Sequence, residues 1–128
     1  MRALLDTHAL LFWLDGDRRL SGGARRVIRD ETNEILVSAA SAWEIGTKVR
    51  LGKLPGAVAV AEDLPGCIAS QGFAPLEISV RHAQLAGQLP ADHRDPFDRM
   101  LAAQAQIEGI PIVSNDAALD AFGIRRLW

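Results

Sequence analysis

Continuously apolar runs alternate with segments of helical spacing along most of this chain. The first run, residues 2–6 (RALLD), leads into THALLFWLDG, where apolar side chains recur at the spacing of a helix. The next run, residues 34–41 (EILVSAAS), leads in the same way into SAWEIGTKVRLGKL. Strands buried on both faces of a parallel sheet are apolar throughout, whereas strands with one wet face alternate. The pattern therefore predicts strands of a parallel sheet, each followed by a helix.

The clearest helix boundary lies in HRDPFDRMLAAQA, residues 93–105. The Asp95 side chain can accept the free N–H groups of a first helical turn, and proline at the next position loses no hydrogen bond. Asp98 falls in the same turn, where its charge is favourable at the positive end of the helix dipole. Because Gly109 is a typical C-cap, a helix over residues 96–108 is predicted.

Serine residues mark the starts of three further helices. Ser21 precedes GGARRVIRDE and Ser79 precedes VRHAQLAGQL, and each can accept an N–H group of the turn that follows. Ser41 is the candidate cap of the helix in SAWEIGTKVRLGKL, which places Glu44 in the arrangement of a capping box. Glu44 can therefore belong to a helix cap or to a functional site.

The second half of the chain completes the alternation. Two Pro-Gly pairs leave room only for short helices between residues 54 and 72. FAPLEIS then predicts a strand on one side of Pro75, at a sheet edge, because Pro75 cannot donate to a neighbouring strand. IPIVSND predicts a strand that ends in acid, AALDAFG a short helix and IRRLW a last strand. We expect one α/β domain over residues 1–128, in which helices cover both faces of a central, mainly parallel sheet of four to five strands.

Composition narrows the classes of function. Of 128 residues 48% are hydrophobic, which is enough for one buried core. A single cysteine cannot form an internal disulfide, and no Cys/His metal set or long apolar run is present, so a soluble cytoplasmic protein without a membrane segment is expected. The net charge of −2 gives no global attraction to nucleic acid. Basic residues still cluster locally, at Arg25, Arg26, Arg29, Lys48, Arg50, Lys53, Arg94, Arg99, Arg125 and Arg126.

Four acidic residues stand near the ends of the predicted elements. Asp6 follows the first strand and Asp116 follows the strand of IPIVSND, while Glu44 and Asp98 lie near the starts of two helices. Ligands of open α/β sheets bind beyond the carboxyl ends of the strands, and parallel strands bring these ends to one edge. Carboxylates within ~4–6 Å of one another raise each other's pKa. We expect a divalent cation to neutralise them.

The donor atoms indicate which cation this is. All of them are oxygens, which suits Mg²⁺, with Mn²⁺ as a substitute, rather than structural zinc. Mg²⁺ takes few protein ligands and leaves positions for phosphate oxygens. Hydrolysis of a phosphodiester by metal-activated water, with one ion or two, is the chemistry that follows.

The acidic blocks together resemble a known family. LLDTHALLFWL, SAAS with WEIGTKVRLGKL, HRDPFDRMLAAQA and IVSND are similar to the four acidic blocks of the PIN-domain ribonucleases, specifically the VapC-type toxins of prokaryotic toxin–antitoxin pairs. The resemblance spans nearly the whole chain and includes the closing IRRLW. It implies a Mg²⁺-dependent endoribonuclease of a type II system, usually a homodimer, held inactive by a VapB-like antitoxin. Asp6, Glu44, Asp98 and Asp116 carry over as catalytic residues and metal ligands, with Asp95 as the second choice for the third ligand.

Other residues beside these acids are secondary candidates. Ser114 resembles the hydroxyl residue often found before the last acid of the family, and it could orient water or only bond within a turn. Thr7 is open to the same two interpretations. Lys48, Arg94 and Arg99 are candidate RNA contacts, although Lys48 also complements the negative end of its helix.

Two histidines and three aromatic residues receive structural interpretations. His8 and His93 lie near the expected pocket, where a surface position or a local hydrogen bond is favoured over contact with RNA. Phe12, Trp13 and Trp43 are expected mostly in the core. Exposure of any of these aromatic side chains would instead indicate binding of a partner.

Two other classes of function also use clustered acids. A metal-dependent phosphatase or phosphate-receiving domain would place them at strand ends, but a receiving domain needs a lysine after a late strand, where this chain has Ser114 and Asp116. A non-catalytic RNA-binding PIN-like module would use the acids only as helix caps. Binding of Mn²⁺ that phosphate can displace would separate this last class from an enzyme.

Overall fold

The computed structural model describes all residues from Met1 to Trp128 and contains one sheet of five parallel strands. The strands are β1 (Arg2–Leu5), β2 (Glu34–Ser38), β3 (Ala74–Leu76), β4 (Ile112–Val113) and β5 (Arg126–Leu127). Their order across the sheet is β3, β2, β1, β4, β5. The α/β class and the parallel sheet predicted from the sequence are confirmed.

Helices cover both faces of this sheet. The α-helices are α1 (Thr7–Asp15), α2 (Gly22–Arg29), α3 (Ala39–Arg50), α4 (Val58–Glu62), α5 (Leu64–Ser70), α6 (Val80–Gln88) and α7 (Pro96–Glu108). Two 3₁₀ helices, Pro55–Ala57 and Ala117–Phe122, precede α4 and β5. None of the α-helices is both long enough and apolar enough to cross a membrane.

β1 lies in the middle of the sheet and is buried on both sides. Ala3 and Leu5 belong to the core that includes residues of α1, α2 and α5, whereas Leu4 belongs to the core that includes α6 and α7. This division follows from the alternation of side chains along a strand. Leu5 is in register with Val37 of β2 and with Val113 of β4. The residues that follow β1, β2 and β4 therefore emerge at the same edge of the sheet.

β3 lies at one edge of the sheet and contains Pro75. Pro75 is in register with Val37 and has no neighbouring strand on its other side. A residue without an N–H group costs least where one side of the strand is open. The edge position predicted for this segment is confirmed, but the strand runs through Pro75 rather than on one side of it, because the side of Pro75 that lacks a donor can face the open edge.

α3 begins earlier than the sequence predicted. Ser38, the last residue of β2, accepts the N–H of Ala40 at 2.9 Å and caps a helix that starts at Ala39. The prediction that Ser41 is the cap was wrong, because the strand passes into the helix without a loop. Glu44 consequently lies in the second turn, outside any capping box, and its carboxylate is available for other contacts.

Trp43 on α3 is the second correction. Its side chain is 62% exposed, whereas the sequence placed it in the core. The indole packs edge to face on Phe97 of α7, with 4.9 Å between the ring centroids. Phe12 is buried as expected, and Trp13 is half-buried against Phe73.

Candidate functional site

All four predicted acids lie around the carboxyl edge of the sheet. Asp6 follows β1 and caps α1, where its Oδ1 accepts the N–H of Ala9 at 2.7 Å. Asp116 follows β4 and caps the 3₁₀ helix that comes before β5. Glu44 lies in α3 and Asp98 in the first turn of α7. Two of the acids are thus fixed by the backbone of the helices that they cap, and two project from helices.

Glu44 is held by the protein itself. Its buried carboxylate accepts the Thr7 hydroxyl at 2.6 Å and pairs with the Lys48 ammonium one turn further along α3. The Thr7 oxygen also lies 3.0 Å from the Ser41 hydroxyl. Burial lowers the pKa of Lys48, but the hydrogen bond and charge of Glu44 outweigh burial, and the pKa of Lys48 is raised. Lys48 therefore remains a cation that neutralises part of the acidic charge, a role that the sequence did not assign to it.

Asp98 and Asp116 form the outer part of the site together with His93. One potential ligand atom from each of these three residues lies within 4.8 Å of the others. His93 Nε2 is 2.9 Å from Asp98 Oδ2, and the imidazole packs edge to face on Phe122 with 5.6 Å between the ring centroids. Asp6 and Glu44 are outside this three-residue group. The structure thus separates a buried inner pair of acids from a more accessible outer group.

Burial opposes the ionisation of two of the acids, Asp6 and Asp98. Burial raises the pKa of Asp6, while the Ser114 hydroxyl and the Ala9 N–H oppose the rise. Burial also raises the pKa of Asp98; His93 opposes this rise, and the charges of Asp95 and Glu44 add to it. The ionised forms therefore carry a desolvation cost that a bound cation would relieve. On this ground the oxygen donors fit a divalent metal ion.

Asp95 and Asp98 have different tasks. Asp95 Oδ1 accepts the N–H groups of Phe97 at 2.9 Å and of Asp98 at 3.3 Å, so the predicted helix cap is confirmed. The Asp98 carboxylate makes no cap bond and lies against His93. This geometry supports Asp98, rather than Asp95, as the third acid of the metal site.

The other predicted residues, Ser114, Arg99 and Arg94, differ in whether they contact the acids of the site, only the backbone, or neither. Ser114 Oγ accepts the N–H of Asp116 at 3.0 Å, which is the turn bonding considered for it, and the Ser114 hydroxyl also acts to lower the pKa of Asp6. Arg99 donates to backbone carbonyls, which favours a structural role over the RNA contact proposed for it. Arg94 is exposed and makes no side-chain hydrogen bond or ion pair, so it is the freest of the three basic candidates.

Two residues of the site were missed by the sequence analysis. Ser41 was assigned to a helix cap and instead lies beside Thr7 near Glu44. His93 was expected on the surface or in a local hydrogen bond; it makes such a bond, but to a proposed metal ligand. Its position five residues before Asp98, inside the most informative acidic block, was the available signal.

Part of the sequence is similar to that of a known ribonuclease. A stretch of 62 residues, 48% of this chain, is 47% identical to Ribonuclease VapC16 of Mycobacterium tuberculosis. The aligned region covers 43% of that relative, so this chain matches less than half of its length.

Solved structures share the whole fold at low sequence identity. VapBC2 from Rickettsia felis bound to a promoter DNA fragment aligns with a TM-score of 0.69 and 14% identity, over 98% of this chain and 97% of that one. VapC20 of Mycobacterium tuberculosis, described as a toxin that cleaves the sarcin-ricin loop, aligns with a TM-score of 0.68 and 20% identity, over 95% of both chains. A toxin–antitoxin complex from Klebsiella pneumoniae has a TM-score of 0.63 and 20% identity, over 89% of this chain and 86% of that one.

The family follows from a match over nearly the full length. The sequence pattern of the PIN domain covers residues 3–124, from the second residue of β1 to the segment before β5. Every acid of the site lies inside this range. The chain therefore belongs to the PIN domain family.

Proposed function

We propose that this protein is a metal-dependent endoribonuclease that acts as the toxin of a type II toxin–antitoxin pair. The observation that carries the proposal is the convergence of His93, Asp98 and Asp116 within 4.8 Å at the same sheet edge as the buried Asp6. The likeness to Ribonuclease VapC16 supports RNA as the substrate. The likeness to toxin–antitoxin complexes supports an antitoxin as the partner.

Mg²⁺ is the proposed cofactor, with Mn²⁺ as a substitute. The proposed ligands are Asp6, Asp98 and Asp116, with Glu44 as the fourth acid. Asp6 forms no ion pair, and the only ionisable side chain paired with Asp98 is His93. When bound, a divalent cation would polarise the phosphate and lower the pKa of the attacking water.

The protein's own groups keep the carboxylates in position. Thr7 and Lys48 hold Glu44, and the Ala9 N–H holds Asp6. The Asp95 cap fixes the first turn of α7, from which Asp98 projects. Prepositioned groups of this kind avoid reorganisation during the reaction, which is where much of the catalytic effect of a polar site arises.

The two alternative functions find less support. A module whose acids only cap helices would need such bonds at each acid, but neither Glu44 nor Asp98 accepts a helix N–H. A phosphate-receiving domain needs a lysine after a late strand. The lysine of this site, Lys48, lies on α3 after β2 and is paired with Glu44.

Cleavage of a defined RNA tests the proposal. Purified protein should cleave single-stranded and hairpin RNA internally with Mg²⁺ or Mn²⁺, and EDTA should stop the reaction. Hydrolysis of p-nitrophenyl phosphate without cleavage of any RNA would favour the phosphatase alternative. Mn²⁺ binding that phosphate cannot displace, with no cleavage, would favour the non-catalytic module.

A cavity beside α1, lined by both apolar and charged side chains, is the proposed binding site of the antitoxin. It has a volume of about 330 Å³ and lies between α1 and the 3₁₀ helix before α4. Leu11, Phe12, Leu54, Ala57 and Val60 supply apolar side chains to its lining. A groove with apolar side chains and a charged rim suits an amphipathic short helix or extended segment of a partner. We propose that the bound segment also presents an arginine to the acids, where a guanidinium can pair with carboxylate in bidentate fashion.

Binding of the antitoxin is expected to compete with the metal. Because the arginine and the cation would neutralise the same carboxylates, saturating Mn²⁺ should weaken the affinity of the antitoxin measured by calorimetry. An antitoxin with that arginine replaced by alanine is the matched control, and its affinity should not respond to Mn²⁺. Equal affinities of the intact antitoxin with and without Mn²⁺ would exclude this mode of inhibition.

A second copy of the chain is the proposed occupant of the exposed face of α3. Ala39, Ala42, Trp43 and Gly46 are all exposed there, and small residues allow two helices to approach closely. An apolar cavity of about 310 Å³ adjoins this face, between α3, α5 and β3. The mass of the protein in solution tests this proposal. Trp43→Lys should shift the mass from dimer to monomer, because a charge would then lie in the proposed interface. Val80→Lys is the control: it replaces an apolar side chain that is 89% exposed on α6, and it should leave the mass unchanged.

A further inference from the structure

His93 is held in the site from two directions. Its Nε2 atom faces the Asp98 carboxylate at 2.9 Å, and its ring packs on Phe122 in the 3₁₀ helix that Asp116 caps. The residue lies in the segment between α6 and α7, which has no regular secondary structure of its own. A histidine that only covered the surface would not need contacts with both of the elements that carry the outer acids.

Arg99 ties this connecting segment to α7. Arg99 immediately follows Asp98, and its guanidinium points back toward the end of α6 and the loop. Its nitrogens donate to the carbonyls of Ala86 at 2.8 Å, Gly87 at 3.5 Å, Leu89 at 2.5 Å, Ala91 at 2.9 Å and His93 at 3.0 Å. The planar fork of an arginine can serve several acceptors at once, which a lysine ammonium cannot reproduce. The backbone of His93 is therefore anchored to the helix that carries Asp98.

We propose that His93 is a nitrogen ligand of the metal site and raises the ratio of its Mn²⁺ affinity to its Mg²⁺ affinity, with Arg99 as the residue that positions it. The inference rests on the metal site of the proposed function. Mg²⁺ takes oxygen ligands, whereas imidazole nitrogen binds divalent first-row transition ions more strongly. An all-oxygen site lacks this contribution, so His93 should raise the fraction of sites that hold Mn²⁺ when both ions are present.

The competing explanation is that His93 only orients Asp98. A residue that orients a ligand changes the affinity for every ion that uses this ligand, and its loss typically costs ~10–100-fold in metal affinity. A nitrogen ligand changes the ratio of the two affinities as well. The ratio of Mn²⁺ to Mg²⁺ affinity therefore distinguishes the two roles.

The decisive measurement is the affinity of His93→Ala for each ion by titration calorimetry, in the absence of RNA. We expect Mn²⁺ binding to weaken at least about tenfold and Mg²⁺ binding to weaken much less. His8→Ala is the matched control for the ratio of the two affinities, because His8 is exposed on α1, lies outside the outer group and acts on Asp6 only through its charge, whichever ion is bound. An equal loss for both ions, or no loss for either, would overturn the proposal.

A spectroscopic signature identifies the ligand directly. Pulsed electron paramagnetic resonance of bound Mn²⁺ should detect coupling to ¹⁴N in the parent protein and in His8→Ala. The coupling should be absent in His93→Ala, which remains informative even if its affinity changes for another reason. A ¹⁴N signal that persists in His93→Ala would assign the nitrogen to another residue and refute the inference.

The role of Arg99 is tested in the same terms. Arg99→Lys keeps the positive charge but loses the planar guanidinium that donates to several carbonyl groups. Because His93 would then be held less firmly, the ratio of Mn²⁺ to Mg²⁺ affinity should fall toward that of His93→Ala. Adding Arg99→Lys to His93→Ala should lower the melting temperature without changing the ratio further. A further change of the ratio in the double variant would show that Arg99 does not act through His93.

These outcomes are separable from those of the proposed function. If the parent protein binds neither ion, the metal-dependent function fails. If it binds metal and cleaves RNA but His93→Ala keeps the parental ratio, only the ligand role of His93 fails.

Discussion

Asp98→Asn is expected to abolish Mg²⁺-dependent RNA cleavage, whereas Asp95→Asn should leave most of it. The Asp98 carboxylate belongs to the outer group of possible ligands and makes no helix-cap bond, so its loss removes a charge from the cation site. Asp95 accepts two N–H groups of the first turn of α7, and asparagine caps a helix about as well as aspartate. The two substitutions therefore affect different properties, although only three positions separate them.

Three measurements on each variant test this pair of expectations. RNA cleavage rates and Mn²⁺ affinity should collapse for Asp98→Asn and change little for Asp95→Asn, while the melting temperatures of both stay near that of the parent. Asp95→Ala is the control for the cap, and it should lose about 0.5–2 kcal/mol of stability. If Asp95→Asn damaged cleavage and Mn²⁺ binding more than Asp98→Asn, Asp95 would be the third ligand.

Asp6→Asn should remove most of the nuclease activity and leave the fold at least as stable as the parent. Asp6 is 6% exposed, and burial raises its pKa, so its ionised form costs folding free energy in the metal-free protein. Asparagine can still accept the N–H of Ala9 that Asp6 accepts at 2.7 Å. The variant thus keeps the cap of α1 and loses the charge that binds the cation.

The pH dependence of this effect has a defined sign. The folded protein holds the Asp6 proton more tightly than the unfolded chain, whose pKa is near the ordinary value of 3.8. The free energy of unfolding that Asp6 contributes therefore falls as the pH rises from 3.8 through the raised pKa of the folded state. Asp6→Asn should match the parent in metal-free thermal melts below pH 3.8 and exceed it toward neutral pH.

Asp116→Asn tests the same separation of activity from stability at the acid that follows β4. Asp116 accepts the N–H of Ala118 at 3.0 Å, and asparagine can keep this bond, so activity should fall without unfolding. Marked unfolding of both Asp6→Asn and Asp116→Asn would assign these acids to the scaffold. Addition of saturating Mn²⁺ should stabilise the parent more than either variant, because a ligand that binds only the folded state raises its stability.

The inner and outer acids differ in how the protein compensates their charge. Glu44 has a built-in cation in Lys48 and a hydroxyl donor in Thr7, so it is largely satisfied without metal. Asp98 has His93, whereas the ionised form of Asp6 is favoured chiefly by the neutral Ser114 hydroxyl and Ala9 N–H, with a smaller contribution from the charge of His8. We therefore expect the outer group and Asp6, more than Glu44, to determine how strongly a cation binds.

Features set by neighbouring residues could be determined from the sequence by itself. The apolar runs identified the strands because residues buried on both faces must be apolar, and Pro75 marked the edge strand because it lacks an N–H group. Asp95 was recognised as a helix cap because the bonds of a cap span only two or three residues. The acids at the carboxyl edge followed from the parallel order of the strands.

Features that depend on distant parts of the chain were decided only by the tertiary structure. Thr7 meets Glu44 across 37 positions of sequence, because β1 and β2 lie side by side in register. The exposure of Trp43 depends on which face of α3 the sheet covers, and local spacing does not carry that information. His93 lies close to Asp116 because the loop between α6 and α7 contacts the end of β4 in the folded protein. Arg99 donates its hydrogen bonds to carbonyl groups of that loop. The Asp95 cap and the burial of the strands could be predicted from the order of residues, whereas the pairing of side chains across elements exists only once the sheet has brought those elements together.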